Sequence, residues 1–507
     1  MRRAGVLALI ALGLAFASIP QGVGWSENAH FGTVKAIAHG KAYIDDFRGT
    51  PPTGDVAWYH GHYYSTKAPG LALLTAGPYI LMHGLGVVDL AGSLPGARTP
   101  EVGTLWLLTI IGCAIPLLVA LFLLRRIGDE LAPGFGTAGA VSIGLGSLLL
   151  PFATLFFDHA LSASLGFIAF AILWWRRAQL RYCALAGLAA GYAVTSEYPL
   201  GVVAIALGLY VLLTAPAGAR LGRAGAYAAG LAVGVLPIVI FNWWAFGTPT
   251  HITYEDAVSH LGVSGHDVLH ANVRGFFGVY WPSFHVAMRL LFTNIGLLTL
   301  APIAAVGAAG AVLLQRAGHR AEALLVGGLP LAFVVYNSGY EDPLGGWSPG
   351  PRFLVAILPF LAIPLALAYR EWPLPTLLLT LGSATTMTMI TVSQPISAHD
   401  GSWYHRVFNG HFYNHGVVAV VPFAVFLVAA LVLTVTATHR RRLTRQDVVG
   451  GVAAFAGWLL LAFAAPRLLR ESHAGYVLLL ALAVIGAVVA AHRFSRPRRF
   501  SSSLEPA

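Results

Sequence analysis

Acidic, histidine and aromatic residues are concentrated in one long polar stretch between residues 21 and 101. Aromatic rings can stack on the faces of sugar rings, and a positioned carboxylate can take a proton from a hydroxyl group. Three carboxylates of this stretch are therefore candidate general bases, and we rank them in the order Asp55, Asp45 and Glu27. A belt of aromatic residues and solvated charges at a membrane surface is the alternative interpretation.

Asp55 ranks first because of the residues on either side of it. Gly54 permits a tight turn, and the aromatic residues that can exclude water from the base are Trp58, Tyr59, Tyr63 and Tyr64. Asp45 ranks second because it also stands in a turn-like context. The candidate substrate-binding residues of the same stretch are His30, His62 and Tyr64.

Charged residues elsewhere in the chain are candidates for binding an anionic substrate. Lys67 stands in a Lys-Ala-Pro motif, and Arg352 stands in the glycine-rich sequence Gly-Gly-Trp-Ser-Pro-Gly-Pro-Arg-Phe. Glycines let backbone amides approach an anion, and a guanidinium can bind phosphate through two hydrogen bonds. Asp158 and His159 form an acid–histidine pair at the end of a predicted helix, whereas Glu197 is expected in an exposed turn. A helix-capping aspartate and a snorkelling arginine are the simpler interpretations of Asp158 and Arg352.

The composition indicates that these residues belong to a membrane protein. Of the 507 residues, 57% are hydrophobic and 10% are charged, whereas soluble domains have roughly 25% charged residues. A soluble enzyme and a disordered chain are therefore excluded. The net charge of +10 does not indicate nucleic-acid binding, because the basic residues form short clusters between apolar runs, which is typical of cytoplasmic loops.

Apolar runs of about 20 residues predict an all-α fold with about fourteen (12 to 14) transmembrane helices. The predicted spans are 4–20, 102–124, 134–155, 160–175, 183–196, 200–214, 225–245, 292–314, 322–337, 353–369, 373–391, 417–437, 448–466 and 474–491. A cleaved signal peptide is the alternative for the first of them.

The segment 68–86 decides the predicted topology. If it is a juxtamembrane helix at the outer surface, most of the 31 lysine and arginine residues face the cytoplasm, in accordance with the positive-inside rule. Both termini are then cytoplasmic, and residues 21–101 become a large first outer loop that contains juxtamembrane helices. Most carboxylates and histidines lie on the outer side in this topology, so we expect the chemistry there.

This organisation resembles the lipid-phosphosugar-dependent glycosyltransferases of the C superfamily, in particular the aminoarabinose transferases and the protein O-mannosyltransferase-like bacterial proteins. The shared order is a first span, an acidic outer loop, a Lys-x-Pro element and a juxtamembrane helix. The Lys-Ala-Pro motif at Lys67 is similar to the family's Lys-Pro-Pro, and the loop before Arg352 is similar to its Gly-Gly-x-x-x-Gly-Pro-Arg-[Phe/Tyr] element. The family's Asp-Glu-x-Arg-Tyr pattern has only Ser-Glu-Asn-Ala-His-Phe, beginning at Ser26, in the equivalent place.

The resemblance implies an activity and roles for several residues. An acid of the first outer loop acts on the acceptor, Lys67 lies near the donor phosphate, and Asp158 corresponds to a second outer-loop acid. The resemblance predicts one domain over residues 1–507, a glycosyltransferase of the bacterial inner membrane. It would transfer a hexosyl or pentosyl group from a polyprenyl-phosphate carrier to a lipid, glycan or protein acceptor at the outer face.

No metal-ligand spacing, Walker A motif or dinucleotide fingerprint occurs in the sequence, so we expect no required cofactor, with a bound divalent metal as the alternative. The expected partners are the polyprenyl-phosphate sugar donor, the acceptor and membrane lipids, without nucleic acid. A lipid or sugar transporter or flippase, and a non-catalytic sugar-lipid-binding protein, are the alternative functions. The scarcity of charge inside the predicted spans favours an enzyme, because transporters place ionisable residues near the membrane midplane.

Overall fold

The structure is a computed structural model that describes residues 2–49, 52–87, 100–257, 278–393, 395–396, 407–409 and 416–494. Within these ranges the chain forms a bundle of α-helices and one two-stranded antiparallel sheet, built from β1 (Val56–Tyr59) and β2 (His62–Ser65). The predicted all-α fold is therefore confirmed for the described residues, apart from this hairpin.

The α-helices are, in chain order, α1 (Arg2–Ala17), α2 (Trp25–Ala38), α3 (Gly70–Gly84), α4 (Pro100–Thr109), α5 (Ile115–Leu131), α6 (Gly136–Leu145), α7 (Leu149–Thr154), α8 (Asp158–Arg176), α9 (Leu180–Ser196), α10 (Gly201–Thr214), α11 (Arg220–Phe246), α12 (Phe284–Phe292), α13 (Leu297–Leu300), α14 (Ile303–Arg316), α15 (Arg320–Ser338), α16 (Leu358–Leu361), α17 (Leu365–Glu371), α18 (Pro373–Ser393), α19 (Gly416–Ala437), α20 (Arg445–Arg470) and α21 (Ala474–Phe494). Short 3₁₀ turns occur at Asp45–Phe47, Tyr198–Leu200, Ala217–Ala219, Thr253–Asp256 and Arg352–Ile357, and a π-helical turn at Ile110–Ala114 joins α4 to α5.

Eight helices of the described residues are long and apolar enough to cross a membrane. They are Val102–Leu131, Asp158–Arg176, Ala217–Phe246, Arg320–Ser338, Pro373–Ser393, Val420–Ala437, Arg445–Arg470 and Ala474–His492. Two bent helix pairs, with bends of 86° and 58°, raise the number to ten if each pair is one span. The chain is a multi-pass membrane protein, but the predicted count of fourteen spans is not confirmed.

Prolines and glycines break several of the predicted spans. The predicted span 292–314 bends by 86° between α13 and α14, where Pro302 directly precedes the second helix. Proline has no backbone N–H and favours a helix start over a helix interior. The predicted span 134–155 is divided at Gly146 into α6 and α7. A Cβ at Gly146 would lie 2.7 Å from the carbonyl oxygen of Ser142, so the bend requires glycine.

The stretch 21–101, predicted to be the first outer loop, contains two helices, α2 and α3. The 15 residues of α3 lie within the predicted segment 68–86 and are too few to span a bilayer. The hairpin of β1 and β2 between these helices was not predicted from the sequence. Which membrane face this loop occupies stays a prediction.

Close helix packing fixes the end of α9 beside the candidate site. Gly187 of α9 packs against the backbone of α11 so closely that an added Cβ would collide with the carbonyl oxygen of Tyr227. Gly230 of α11 packs in the same way against Ala184. Small residues that allow such backbone contact are typical of helix pairs in membranes. The residue that follows α9, Glu197, is therefore held in place.

Helix α8 lies in the core of the bundle. Its most apolar window is 72% buried, whereas the corresponding windows of α19, α20 and α21 are each 17% buried. Phe167 and Phe170 of α8 pack against Phe360 with ring centroids 5.8 Å apart in both pairs. The first residues of this helix, Asp158 and His159, are consequently held on a rigid support.

Candidate active site

The β-hairpin brings Asp55 and Lys67 together. The two residues flank strands in which Val56 pairs with Ser65, so they leave the hairpin side by side, and the backbone N–H of Thr66 donates to the carbonyl oxygen of Asp55. Lys67 Nζ lies 2.8 Å from Asp55 Oδ2, and the two side chains are 9% and 14% exposed. The structure thus places the first-ranked acid and the predicted phosphate-binding lysine in one largely buried ion pair.

The loop before Asp55 is tied to the start of α2. The Thr53 hydroxyl donates to the carbonyl oxygen of Trp25 at 2.7 Å and accepts from the N–H of Asp55 at 3.1 Å. Glu27, two residues into α2, accepts a hydrogen bond from the N–H of Gly24 through Oε2 at 3.1 Å. This contact is half of a capping box. The hairpin and the beginning of α2 therefore form one unit.

Glu27 is almost completely buried, and its Oε1 has no hydrogen-bond partner among the described residues. Burial raises the pKa of Glu27 to about 8, because a carboxylate is poorly stabilised away from water. At neutral pH this group is therefore mostly protonated. A protonated carboxyl is a poor general base, which weakens Glu27 as a candidate and favours a positioning role.

His30 lies one turn further along α2 and faces the same interior. Its Nε2 is 3.9 Å from Asp158 Oδ1 and makes no hydrogen bond within the described part of the chain. Burial, and to a smaller extent the positive charge of Lys67, lower the pKa of His30 well below its usual value. The imidazole is therefore neutral, and its contact with Asp158 is not an ion pair.

Asp158, His159 and Glu197 form a second buried group. His159 Nδ1 lies 3.0 Å from Glu197 Oε1 and 3.7 Å from Asp158 Oδ1. The other carboxylate oxygen of Glu197 accepts a 2.5 Å hydrogen bond from Ser162. Glu197 is thus buried rather than exposed as expected, and Asp158 is the first residue of α8 rather than its N-cap.

Among the residues that the structure describes, these three side chains can hold a divalent metal. One ligand atom from each of Asp158, His159 and Glu197 lies within 4.8 Å of the others. Imidazole nitrogen with carboxylate oxygens is a ligand set that zinc and other first-row metals accept. His159 Nδ1 and Glu197 Oε1 also lack hydrogen-bond partners among the described residues. The donor atoms therefore fit a metal ion.

Lys67 and the group of Asp158, His159 and Glu197 line one cavity of 430 Å³, which Arg352 also lines. The candidates Asp55, Glu27 and His30 lie outside this lining, and Asp55 is connected to it through its contact with Lys67. The cavity is lined by Ser26, Lys67, Ala68, Asp158, His159, Glu197, Tyr198, Pro199, Gly201, Val202, Ile205, Ile252, Tyr254, Val279, Tyr336, Asn337, Tyr340, Arg352 and Phe353. Lys67 and Arg352, which are far apart in the sequence, therefore contribute to the same site. The lining combines two cations, three buried groups that can bind a proton or a metal, and aromatic walls.

The glycines before Arg352 make room for its side chain. Gly345 has φ of 81° and Gly346 has φ of 64°, in the left-handed region that favours glycine. A Cβ at Gly345 would collide with the Arg352 side chain. The guanidinium lies over the rings of Phe157 and Phe353, at 5.9 and 5.1 Å from their centroids. Arg352 Nε is buried without a hydrogen-bond partner in the described chain, so it can donate to a bound anion.

Asp45, His62 and Tyr64 lie outside this cavity lining. Asp45 Oδ2 is 2.6 Å from His62 Nδ1, and its Oδ1 accepts from the N–H of Tyr63 at 2.6 Å. His62 stacks on Tyr43 at 4.0 Å, and the Tyr64 hydroxyl donates to the carbonyl oxygen of Ala245. The structure therefore gives these three candidates contacts that hold β2 in place.

No family model and no curated protein matches this chain. Among solved structures it is similar to ArnT from Cupriavidus metallidurans bound to undecaprenyl phosphate, with 19% identity and a TM-score of 0.46 over 97% of this chain and 77% of that chain. It is also similar to the oligosaccharyltransferase from Archaeoglobus fulgidus in the apo form, with 11% identity and a TM-score of 0.41 over 93% of this chain and 59% of that chain. Identities this low establish no activity or substrate.

Several lining residues were not among the predicted site residues. Glu197, Tyr198 and Tyr254 line the cavity, as does Tyr336 near the end of α15. Glu197 was assigned to an exposed turn because its burial depends on the packing of α9 against α11. The only sequence signal for it was an acid directly after an apolar helix, which also occurs in ordinary surface turns.

Proposed function

We propose that this protein transfers a sugar from a polyprenyl-phosphate donor to an acceptor hydroxyl at the outer face of the bacterial inner membrane. One observation carries the proposal. Two cations, Lys67 and Arg352, line a single cavity together with the buried acid Asp158. A phosphate group requires cations, and a lipid carrier requires a site that is reached from apolar helices.

The donor phosphate binds between Lys67 and Arg352. Arg352 offers a buried Nε without a hydrogen-bond partner among the described residues, and phosphate accepts charge-assisted hydrogen bonds from guanidinium groups. Lys67 contacts Asp55 at 2.8 Å, so the same ammonium group connects the donor phosphate to the proposed base. The polyprenyl chain lies against the apolar helices beside the cavity.

Asp55 is the general base of the proposed reaction. It takes the proton of the acceptor hydroxyl, and the oxygen attacks the anomeric carbon of the sugar. A new carbon–oxygen bond forms as the bond to the donor phosphate breaks, and its electron pair leaves with the polyprenyl phosphate. Lys67 and Arg352 stabilise the negative charge that develops on this leaving group. Atoms and charge balance without a further reactant.

Aromatic residues bind the sugar in this proposal. Tyr198, Tyr254 and Phe353 line the cavity, and aromatic faces stack on apolar sugar faces. Burial raises the pKa of Tyr254 well above its usual value. The hydroxyl of Tyr254 therefore keeps its proton and can donate a hydrogen bond to a sugar oxygen.

The positions of the charged groups favour an enzyme over a transporter. Asp158 begins α8, Glu197 follows the last residue of α9, and Arg352 begins a short 3₁₀ turn. These groups are at helix ends, whereas transporters bind their substrates near the middle of broken helices.

The proposal is tested with purified protein in lipid nanodiscs and a panel of undecaprenyl-phosphate sugars. We expect one donor to release undecaprenyl phosphate in an amount equal to the sugar transferred. Undecaprenyl phosphate alone should also bind, and Arg352→Gln should weaken this binding. The matched control is Arg289→Gln, because Arg289 is an exposed arginine of α12 that does not line the cavity. Failure of wild-type protein to bind undecaprenyl phosphate would overturn the proposal.

A further inference from the structure

A second cavity of 690 Å³ lies outside the proposed reaction site. Helices α14, α18, α20 and α21 enclose it, and residues such as Val306, Leu313, Leu461 and Val484 give it apolar walls. Helices α20 and α21 are only 17% buried over their most apolar windows, so much of their surface is available to lipid.

One end of this second cavity carries cationic side chains. Arg316 and Arg441 line it there, together with His492 and the acids Glu371 and Asp447. The two acids are already bound by neighbouring groups. Glu371 Oε1 accepts from Arg370 at 2.9 Å.

Asp447 Oδ2 caps α20 by accepting from the N–H and the hydroxyl of Thr444 at 2.8 and 2.7 Å. Arg441 Nη2 is 3.9 Å from the same Asp447 oxygen. Arg316 is exposed at the end of α14 and forms no ion pair within the described ranges. Arg316 therefore leaves a positive charge at the mouth of the cavity that can bind an anion.

The length of the second cavity suits an acyl chain. Its lining on α20 extends from Gln446 to Ala462, a distance of about 24 Å at the helical rise of 1.5 Å per residue. One leaflet of the hydrocarbon core is about 15 Å thick, half of the whole. A chain that enters from the cationic mouth therefore reaches the apolar end.

The mouth and the candidate active site lie at opposite ends of α15. Arg316 lines the mouth and is followed, after a short turn, by Arg320 at the start of α15. Tyr336 and Asn337, at the other end of this 19-residue helix, line the active-site cavity. The helix is about 28 Å long. The mouth therefore faces the membrane surface opposite to the site of the proposed transfer.

We propose that this second cavity binds an anionic glycerophospholipid, with its phosphate at Arg316 and Arg441 and one acyl chain between α14, α20 and α21. Basic pockets between transmembrane helices bind lipid phosphates in this way. The chain's own segment 495–507 is a poorer occupant, because it carries three arginines and one glutamate and would be repelled by the mouth. This site does not depend on the proposed sugar transfer.

The test uses full-length protein reconstituted in vesicles of equal phosphatidylglycerol and phosphatidylcholine, extracted in mild detergent and examined by native mass spectrometry. We expect wild type to retain phosphatidylglycerol in preference to phosphatidylcholine. Ala309→Trp should abolish this retention by filling the cavity, whereas Ala308→Trp, at an exposed residue outside the lining, should not. Arg316→Gln should lower the preference about five-fold, or about 1 kcal/mol, and Arg320→Gln should leave it unchanged.

Several results would overturn the proposal. One is the absence of a lipid preference in wild type, and another is an equal effect of Ala308→Trp and Ala309→Trp. More retained lipid after truncation at residue 494 would identify the terminal segment as the occupant. A dimer that dissociates in Ala309→Trp would identify a second copy of the chain. If Ala309→Trp does not fold, the two arginine variants test the proposal instead. An equal lipid preference in Arg316→Gln and Arg320→Gln would then overturn it.

Discussion

The hairpin of β1 and β2 holds two acid–base pairs in very different surroundings. Lys67 and Asp55 lie at its open end with 9% and 14% of their side chains exposed, beside the cavity of the candidate active site. His62 and Asp45, on the other side of the hairpin, are 42% and 29% exposed. The sequence places both acids in similar turns, but only Asp55 contacts a residue that lines the cavity, Lys67. The tertiary position of the strand ends, rather than the local motif, therefore separates a candidate base from a structural acid.

The largest expected effect comes from removing the acid beside the cavity. Asp55→Asn keeps the shape of the side chain but removes the base, so we expect turnover to fall at least about 100-fold. Asp45→Asn should change turnover by less than about five-fold, because partly exposed ion pairs contribute at most about 1 kcal/mol. Release of undecaprenyl phosphate measures both rates.

The opposite result would give the role of general base to a different acid. Near-normal turnover in Asp55→Asn, together with an inactive Asp45→Asn or Glu27→Gln, would assign the base to that other acid. Normal turnover in all three variants would remove the proposed mechanism.

The second largest effect is expected for Arg352, which lines the cavity together with Lys67. Arg352→Ala should weaken the binding of undecaprenyl phosphate about 10- to 150-fold, because hydrogen bonds to charged groups contribute about 1.5–3 kcal/mol. Gly345→Ala should weaken it as well without changing any charge, since its Cβ would collide with the Arg352 side chain. Equilibrium binding in nanodiscs measures both, and unchanged binding in Arg352→Ala would contradict the phosphate site.

Part of this arrangement could be predicted from the sequence. The membrane class and the helices of the first loop follow from composition and apolar pattern. The family resemblance placed Lys67 near the donor phosphate, and both Lys67 and Arg352 line one cavity, but their shared phosphate site stays a prediction. The hairpin could not be predicted because its strands are only four residues each. The burial of Glu197 depends on helices that are distant in sequence, and the breaks at Gly146 and Pro302 divide runs that are otherwise continuously apolar.

A third prediction concerns Glu27, a buried acid of α2. Its pKa in the folded protein, about 8, is above its ordinary value of 4.5. The protonated form is therefore the one that the fold favours. The stabilising contribution of this proton is fully present below pH 4.5 and is lost as the pH rises through 8.

Glu27→Gln keeps a neutral side chain at every pH, and its amide oxygen can still accept from the N–H of Gly24. The unfolding temperature of wild type should therefore fall between pH 5 and pH 9 relative to that of the variant. Thermal unfolding in detergent at both pH values measures this difference. A difference that is equal at both pH values would show that Glu27 titrates normally in the folded protein.

The smallest effect is expected at the tip of the hairpin, at the end opposite to Asp55 and Lys67. His60 has φ of 48° and Gly61 has φ of 89°, the two left-handed residues of a type I′ turn, in which Asn-Gly is strongly preferred. Steric strain at this positive φ is greater for histidine than for asparagine. His60→Asn should therefore stabilise the hairpin by about 0.5 kcal/mol, which slows hydrogen exchange of its backbone amides about two-fold if they exchange by local opening. Turnover should not change, because the open end that holds Asp55 and Lys67 keeps its register. Slower hydrogen exchange together with a loss of turnover in His60→Asn would mean that the reaction requires motion of the whole hairpin. Asp55 would then not be held on a rigid support.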